Sequence, residues 1–268
     1  MDISIVRLDR QGRDILVIRQ AGASDQTARG HFILCRPIGQ EATRTAAMFR
    51  VLSDRLVRQG CTVWRFDYHG TGDAGGDEGA QSLADWTQDL ATVHQHVSRS
   101  EDGPIRWFAM GLGGVVALNA AAKLPDAPAH LVLWEPVTQG ETYLDALKEG
   151  HRRELAREFG YSWPQLLAQG RVNEPTLPGD VLGFDYSQTL VDDIQRIDQL
   201  PLAAALRRGT RILCALHEHD RKHIEPQLIS ANLQWHTVET RTDWMSSQAM
   251  GTAIVPTDAL KAVLSAIQ

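Results

Sequence analysis

Gly111 stands in the turn Met110-Gly111-Leu112-Gly113-Gly114, after the apolar run 105–110 and before the apolar, helix-like run 112–123. A strand, a sharp turn and a helix in this order carry a nucleophile in acyl-transfer chemistry when the turn reads G-x-S-x-G. The serine hydroxyl then stands above the sheet beside backbone N–H groups that stabilise an oxyanion. Here glycine holds the serine's place. Glycine accepts the positive φ of such a turn more readily than any other residue, so the pattern keeps the backbone device and omits the attacking atom.

The same chemistry needs a carboxylate and a histidine, in the chain order nucleophile, acid, base. The run Leu216-His217-Glu218-His219-Asp220 stands where the acid belongs, with Asp220 as its candidate. The base belongs after the last strand, in residues 240–253. No histidine occurs there, and the last one in the chain, His236, lies within the strand itself. Without serine and histidine, ordinary triad chemistry is not available. Other groups suited to acid–base work are Asp67, His69 and Asp73 in Asp67-Tyr68-His69-Gly70-Thr71-Gly72-Asp73, and Glu135 after a later strand. A doubly wound sheet places such loops above its carboxyl edge. The competing reading of the 67–73 loop is structural, with its aspartates bonding nearby N–H groups.

The run from His217 to His223 also holds zinc-type donors, but its spacing matches no established site. Arg221 and Lys222 oppose a cation, so a solvated polar loop and no metal are expected. The turn at Gly111 lacks the G-x-G-x-x-G spacing of dinucleotide sites, and no cofactor is expected.

The elements that must position these residues are legible from periodicity. Residues 3–8 and 14–19 alternate in period two around Asp9-Arg10-Gln11-Gly12, as a β-hairpin does. Strand His31–Arg36, helix Thr43–Gln59, strand Cys61–Phe66, helix Ser82–Val97, strand Ile105–Met110, helix Leu112–Lys123 and strand His130–Trp134 then alternate. Ser82 and Asp85 supply a capping pair. This alternation predicts an α/β fold with a mostly parallel, doubly wound sheet and helices on both faces. It stops at about Thr138. A charged helix over Gly140–Phe159 and Pro/Gly-punctuated sequence follow, and the segment 138–200 is expected to be a helical cap inserted into a core formed by 1–137 and 201–268. Strands resume at Arg211–Leu216 and Gln234–Glu239, and an amphipathic helix is expected over Thr257–Ile267.

With 268 residues the chain is long enough for one large α/β domain with an insertion, and its formal net charge of −6 argues against nucleic-acid binding. Cys35, Cys61 and Cys214 fall in apolar runs and are expected to be buried thiols. Most tryptophans fall where core packing is their ordinary role. The N-terminus lacks the apolar block of a signal peptide, and no run has the length of a membrane span, so a cytoplasmic location is expected.

Several of these stretches carry a family resemblance. Pro37-Ile38-Gly39-Gln40-Glu41, Arg65-Phe66 with the 67–73 loop, the turn at Gly111, and Leu131-Val132-Leu133-Trp134-Glu135-Pro136-Val137 followed by Gly140 and Tyr143-Leu144 resemble α/β-hydrolase-fold proteins. In particular they resemble exosortase A system-associated hydrolases and their relatives that lack the elbow serine. Trp244 and Met245 are similar to that subgroup's terminal segment, which likewise lacks a histidine. The resemblance implies the α/β-hydrolase fold, with one oxyanion N–H from the loop at Ile38 and Gly39 and the other from Leu112. Tight turns made by Gly39 and Gly111 are the plainer alternative.

The expected function is that of a degenerate α/β-hydrolase homologue, non-hydrolytic or accessory, that binds an acyl or ester-type small molecule, free or carrier-linked. The alternatives are an ester or thioester hydrolase or acyltransferase using Asp67, His69, Asp73, Glu135 or Asp220, and a protein-interaction module with a protein partner or a second copy of the chain.

Overall fold

A computed structural model describes residues 1–22, 28–221, 224, 228–239, 242–244 and 255–265. Lys222 and His223 of the polar run, residues 240–241 and 245–253 of the segment expected to hold a base, and the end of the last helix lie outside them.

β1 (Asp2–Arg10) and β2 (Arg13–Ala21) form an antiparallel hairpin in which Arg10 pairs with Arg13. Its two-residue loop, Gln11-Gly12, takes φ values of 55° and 82°. Positive φ at both positions matches the right-handed twist of the flanking strands. The alternating core follows as β3 (His31–Cys35), α1 (Gly39–Arg58), β4 (Thr62–Asp67), α2 (Leu83–Ser100), β5 (Ile105–Met110), α3 (Leu112–Lys123) and β6 (His130–Trp134).

The segment after β6 contributes α4 (Gly140–Phe159), α5 (Trp163–Ala168), a small hairpin of β7 (Gly179–Val181) and β8 (Phe184–Tyr186), and α6 (Gln188–Gln195). The chain then returns through α7 (Leu202–Arg207), β9 (Arg211–Leu216), α8 (Glu218–Arg221), β10 (Leu233–Thr237) and α9 (Thr257–Ser265). The main sheet has eight strands in the order β1-β2-β4-β3-β5-β6-β9-β10. It is antiparallel across β1, β2 and β4 and parallel from β4 through β10.

The parallel strands are apolar almost throughout because both of their faces are covered. Ile33, Trp107 and Leu131 face α2 and α3, where Trp86, Leu90, Val93 and Val116 pack. Their sequence neighbours Phe32, Phe108 and Val132 face α1 and α9, meeting Met48, Phe49, Leu52 and Leu260. Trp64, Trp86, Trp107 and Trp134 are buried in these layers, and all three cysteines are buried thiols. Ser82 caps α2 by accepting the N–H of Asp85 at 3.1 Å, as its sequence pairing implies.

β5, α3, β6, α4 and β9 form within their expected bounds. α1 starts at Gly39 rather than Thr43, with Ile38 extended at its N-cap. The β7–β8 hairpin has three-residue strands, too short to show a period, and it escaped the sequence reading. No helix among the described residues is long and apolar enough to cross a membrane.

Candidate ligand-binding site at the glycine elbow

Gly111 joins β5 to α3 with φ 56° and ψ −131°, a conformation that strains any residue with a Cβ. The turn is held at both peptide groups. The Gly111 N–H donates to the Trp134 carbonyl at 3.3 Å, and the Gly111 carbonyl accepts from Gly114 at 3.0 Å and Val137 at 3.2 Å. Two further glycines let neighbouring loops close in. A Cβ on Gly113 would lie 2.3 Å from the Arg36 carbonyl, and one on Gly114 would lie 2.7 Å from Pro136 Cβ. The first turn of α3 therefore packs against both the loop after β3 and the loop after β6. Ile38 and Gly39 stand at the start of α1, and Leu112 is the first residue of α3.

A cavity of ≈ 420 Å³ opens above this elbow. Glu41, Gly111, Glu135, Tyr143, Asp220 and Trp244 are among the residues lining it. Glu41 projects from the first turn of α1, and a Cβ on Gly111 would lie 3.1 Å from its Oε2. The Glu41 carboxyl thus stands beside the place a nucleophilic side chain would take. Tyr143, from α4, directs its hydroxyl at the same Oε2 across 3.5 Å. Glu41 keeps some accessible surface because it faces the cavity, yet protein surrounds it. This burial, with the nearby charge of Glu135, raises its carboxyl to about 7, while the Tyr143 hydrogen bond acts in the opposite sense. Burial and Glu41 together push the Tyr143 hydroxyl up as well. From β8, Tyr186 lies against Gly39, where a Cβ would be 2.6 Å from its hydroxyl oxygen.

Glu135 enters the cavity from the turn after β6, with a φ of 42° that is unusual for a side chain with a Cβ. Its N–H donates to the Ala215 carbonyl at 2.9 Å, which ties this turn to β9. Asp220 also lines the cavity, with its Oδ1 3.6 Å from Nδ1 of the largely exposed His219. The wall is completed by residues 242–244. Arg44 donates to the Trp244 carbonyl at 2.7 Å, and Arg153 of α4 pairs with Asp243 at 2.9 Å.

Of the five side chains singled out by sequence, the structure brings Glu135 and Asp220 into one cavity with Gly111. Asp67, His69 and Asp73 lie elsewhere. Asp67 pairs with Arg36 at 2.8 Å and accepts the Asp73 N–H at 3.1 Å. The His69 N–H donates to buried Asp89 at 3.0 Å, and that carboxylate is also held by Arg13 at 2.9 Å. Asp73 is exposed. Glu41 and Tyr143 belong to stretches that carried the family resemblance, but sequence reasoning gave neither a chemical role. The available signal was an acidic residue directly after a Gly-containing strand-end loop. In sequence His219 belongs to the polar run, and the fold sets it beside Asp220 on the cavity wall.

The family described as serine aminopeptidase, S33, matches residues 27–222. Among solved structures, a carboxylesterase of the thaumarchaeon Nitrososphaera gargenis is 14% identical with a TM-score of 0.60, covering 98% of each chain. Est1E of Butyrivibrio proteoclasticus, solved with ferulic acid, is 13% identical with a TM-score of 0.58, covering 97% of this chain and 98% of its own. The enol-lactonase of Burkholderia xenovorans LB400 is 14% identical with a TM-score of 0.56, covering 97% of this chain and 98% of its own. At these identities the likeness is one of fold. No curated protein matches the sequence.

Proposed function

Because the chain belongs to the serine aminopeptidase S33 family of α/β-hydrolase-fold proteins, we propose that it is a homologue that binds an acyl or ester-type small molecule without hydrolysing it. The observation that carries this reading is the elbow. Its backbone geometry is kept at Gly111, no attacking atom stands on it, and the Glu41 carboxyl fills the adjacent space. The ligand lies in the ≈ 420 Å³ cavity, beneath a cap formed by residues 138–200. Such a cavity, with an apolar body and a few polar groups, suits a small ligand of mixed character. Glu135 and Asp220 shape its polar end, and Asp67, His69 and Asp73 hold the neighbouring loop.

A second reading has one observation in its favour. His219 and Asp220 form a close acid–base pair on the cavity wall, which would suit an ester or thioester hydrolase or acyltransferase that activates water or an acceptor without a covalent intermediate. The two readings part on turnover and labelling. We expect the purified protein to leave a short-to-long series of acyl esters intact and to resist a fluorophosphonate probe. Gly111→Ser alone should stay inactive, since no histidine occurs in residues 240–253, where a triad base belongs. Turnover by the wild type would favour the second reading, and fluorophosphonate labelling would reveal a nucleophile that the first excludes.

A further inference from the structure

Glu41 stands in the first turn of α1, and its carboxyl is aimed across the cavity. It reaches the elbow, it shares the cavity wall with Gly111, and its Oε2 lies 3.1 Å from where a Cβ on Gly111 would be. In a working elbow that region receives the reacting carbonyl, whose oxygen needs hydrogen-bond donors. A carboxylate supplies none, but a carboxylic acid donates one hydrogen bond while still accepting another. Tyr143 donates to Oε2 at 3.5 Å, and a protonated carboxyl can accept that bond and still donate its own proton to a ligand.

We propose that Glu41, as a carboxylic acid positioned by Tyr143, donates the hydrogen bond that holds the carbonyl oxygen of an uncharged acyl ester or thioester against the elbow, and that the cavity discriminates against the corresponding free carboxylates. The proposal rests on the acyl-ligand reading above and adds a named donor and a charge preference to it. The cavity wall supports both parts. Glu135 on the turn after β6, Asp220 on α8 beside His219, and Asp243, which pairs with Arg153 outside the lining, all line the cavity, so the charged side chains a ligand carboxylate would meet are mostly carboxylates. An ester meets no such repulsion.

Other groups act on Glu41 or lie near it. Glu135 from the β6 turn disfavours a negative charge on it, and Tyr143 from α4 donates to it. Tyr186 from β8 feels its charge, and His219 shares the cavity from α8. On α1 itself, Arg44 is the nearby cation, directed at the Trp244 carbonyl. The raised carboxyl, at about 7, agrees with an acid that keeps its proton in mildly acidic solution.

The test is binding of methyl hexanoate, hexanoyl-N-acetylcysteamine and sodium hexanoate to the intact protein, measured by calorimetry and ligand-observed NMR from about pH 5.5 to 8.5. For wild type, we expect ester and thioester affinity to fall about tenfold or more across this range as the competent protonated fraction shrinks. Hexanoate should bind more weakly than the ester throughout. Glu41→Gln keeps an N–H donor, so it should bind ester with an affinity that no longer changes with pH. Glu41→Leu should lose the ester. If the leucine variant does not fold, as judged by circular dichroism, the glutamine pH profile decides alone.

Ester binding that is independent of pH in wild type, a pH dependence that persists in Glu41→Gln, or tighter binding of hexanoate would overturn the assignment while leaving the acyl-ligand reading in place. Failure of wild type to bind ester or thioester at any pH would overturn both.

Discussion

Gly111 keeps the strained turn that carries a serine in an active elbow, and the Glu41 carboxyl fills the space beside it. Holding a carboxyl there has a measurable stability consequence. Its folded value, about 7, lies above the ordinary 4.5, so between those pH values the unfolded chain releases a proton that the folded chain keeps. Stability therefore falls as pH rises through this window, by roughly 3 kcal/mol for a shift of this size, and the loss is complete above the folded value. Glu41→Gln removes the titration. Denaturant unfolding should find the variant more stable than wild type at about pH 8 and little different at about pH 4.5; equal pH profiles would contradict the buried-acid assignment. Sequence made Gly111 conspicuous because a pattern of five residues has a known geometry. It left Glu41 unassigned because the approach to α3 of the loop that leads from β3 into α1 depends on the close packing that Gly113 permits, a long-range contact with no local period.

At the scale of elements, the site depends on how α4 is seated, since α4 carries Tyr143 to the elbow. Its first residue is the critical one. The Gly140 N–H donates to the Ile197 carbonyl at 2.7 Å, and a Cβ on Gly140 would fall 1.6 Å from the Ile194 carbonyl oxygen at the end of α6. No rotamer relieves a clash between a Cβ and backbone, so α4 and α6 must separate to admit one. Gly140→Ala should cost about 1–3 kcal/mol in denaturant unfolding, despite alanine's higher helix propensity. A neutral or stabilising result would show that this crossing is not as close as described. The long strands and helices were legible because burial on both faces writes continuous apolar strands and amphipathic helices into the sequence. Beyond α4, the 138–200 segment was legible only as an interruption, since its three-residue strands and short helices are defined by what they pack on. The 67–73 loop shows the reverse difficulty: its aspartates and histidine suggest chemistry in sequence, whereas their observed partners, Arg36, Asp89 and backbone N–H groups, hold the loop's shape.

For the whole molecule, the cavity exists because distant stretches converge on the carboxyl edge of the sheet. α1 gives Glu41, the β6 turn gives Glu135, α4 gives Tyr143, α8 gives Asp220, and the 242–244 segment is tied in through Arg44 and Arg153. The α/β-hydrolase fold is thus built around an elbow that carries glycine, and fold alone does not supply an activity. The most direct measurement presents saturating hexanoyl-N-acetylcysteamine to the protein while following both bound ligand and released thiol. The account predicts saturable binding with the thioester recovered intact; release of thiol above the uncatalysed rate, abolished by substituting a cavity residue, would contradict it.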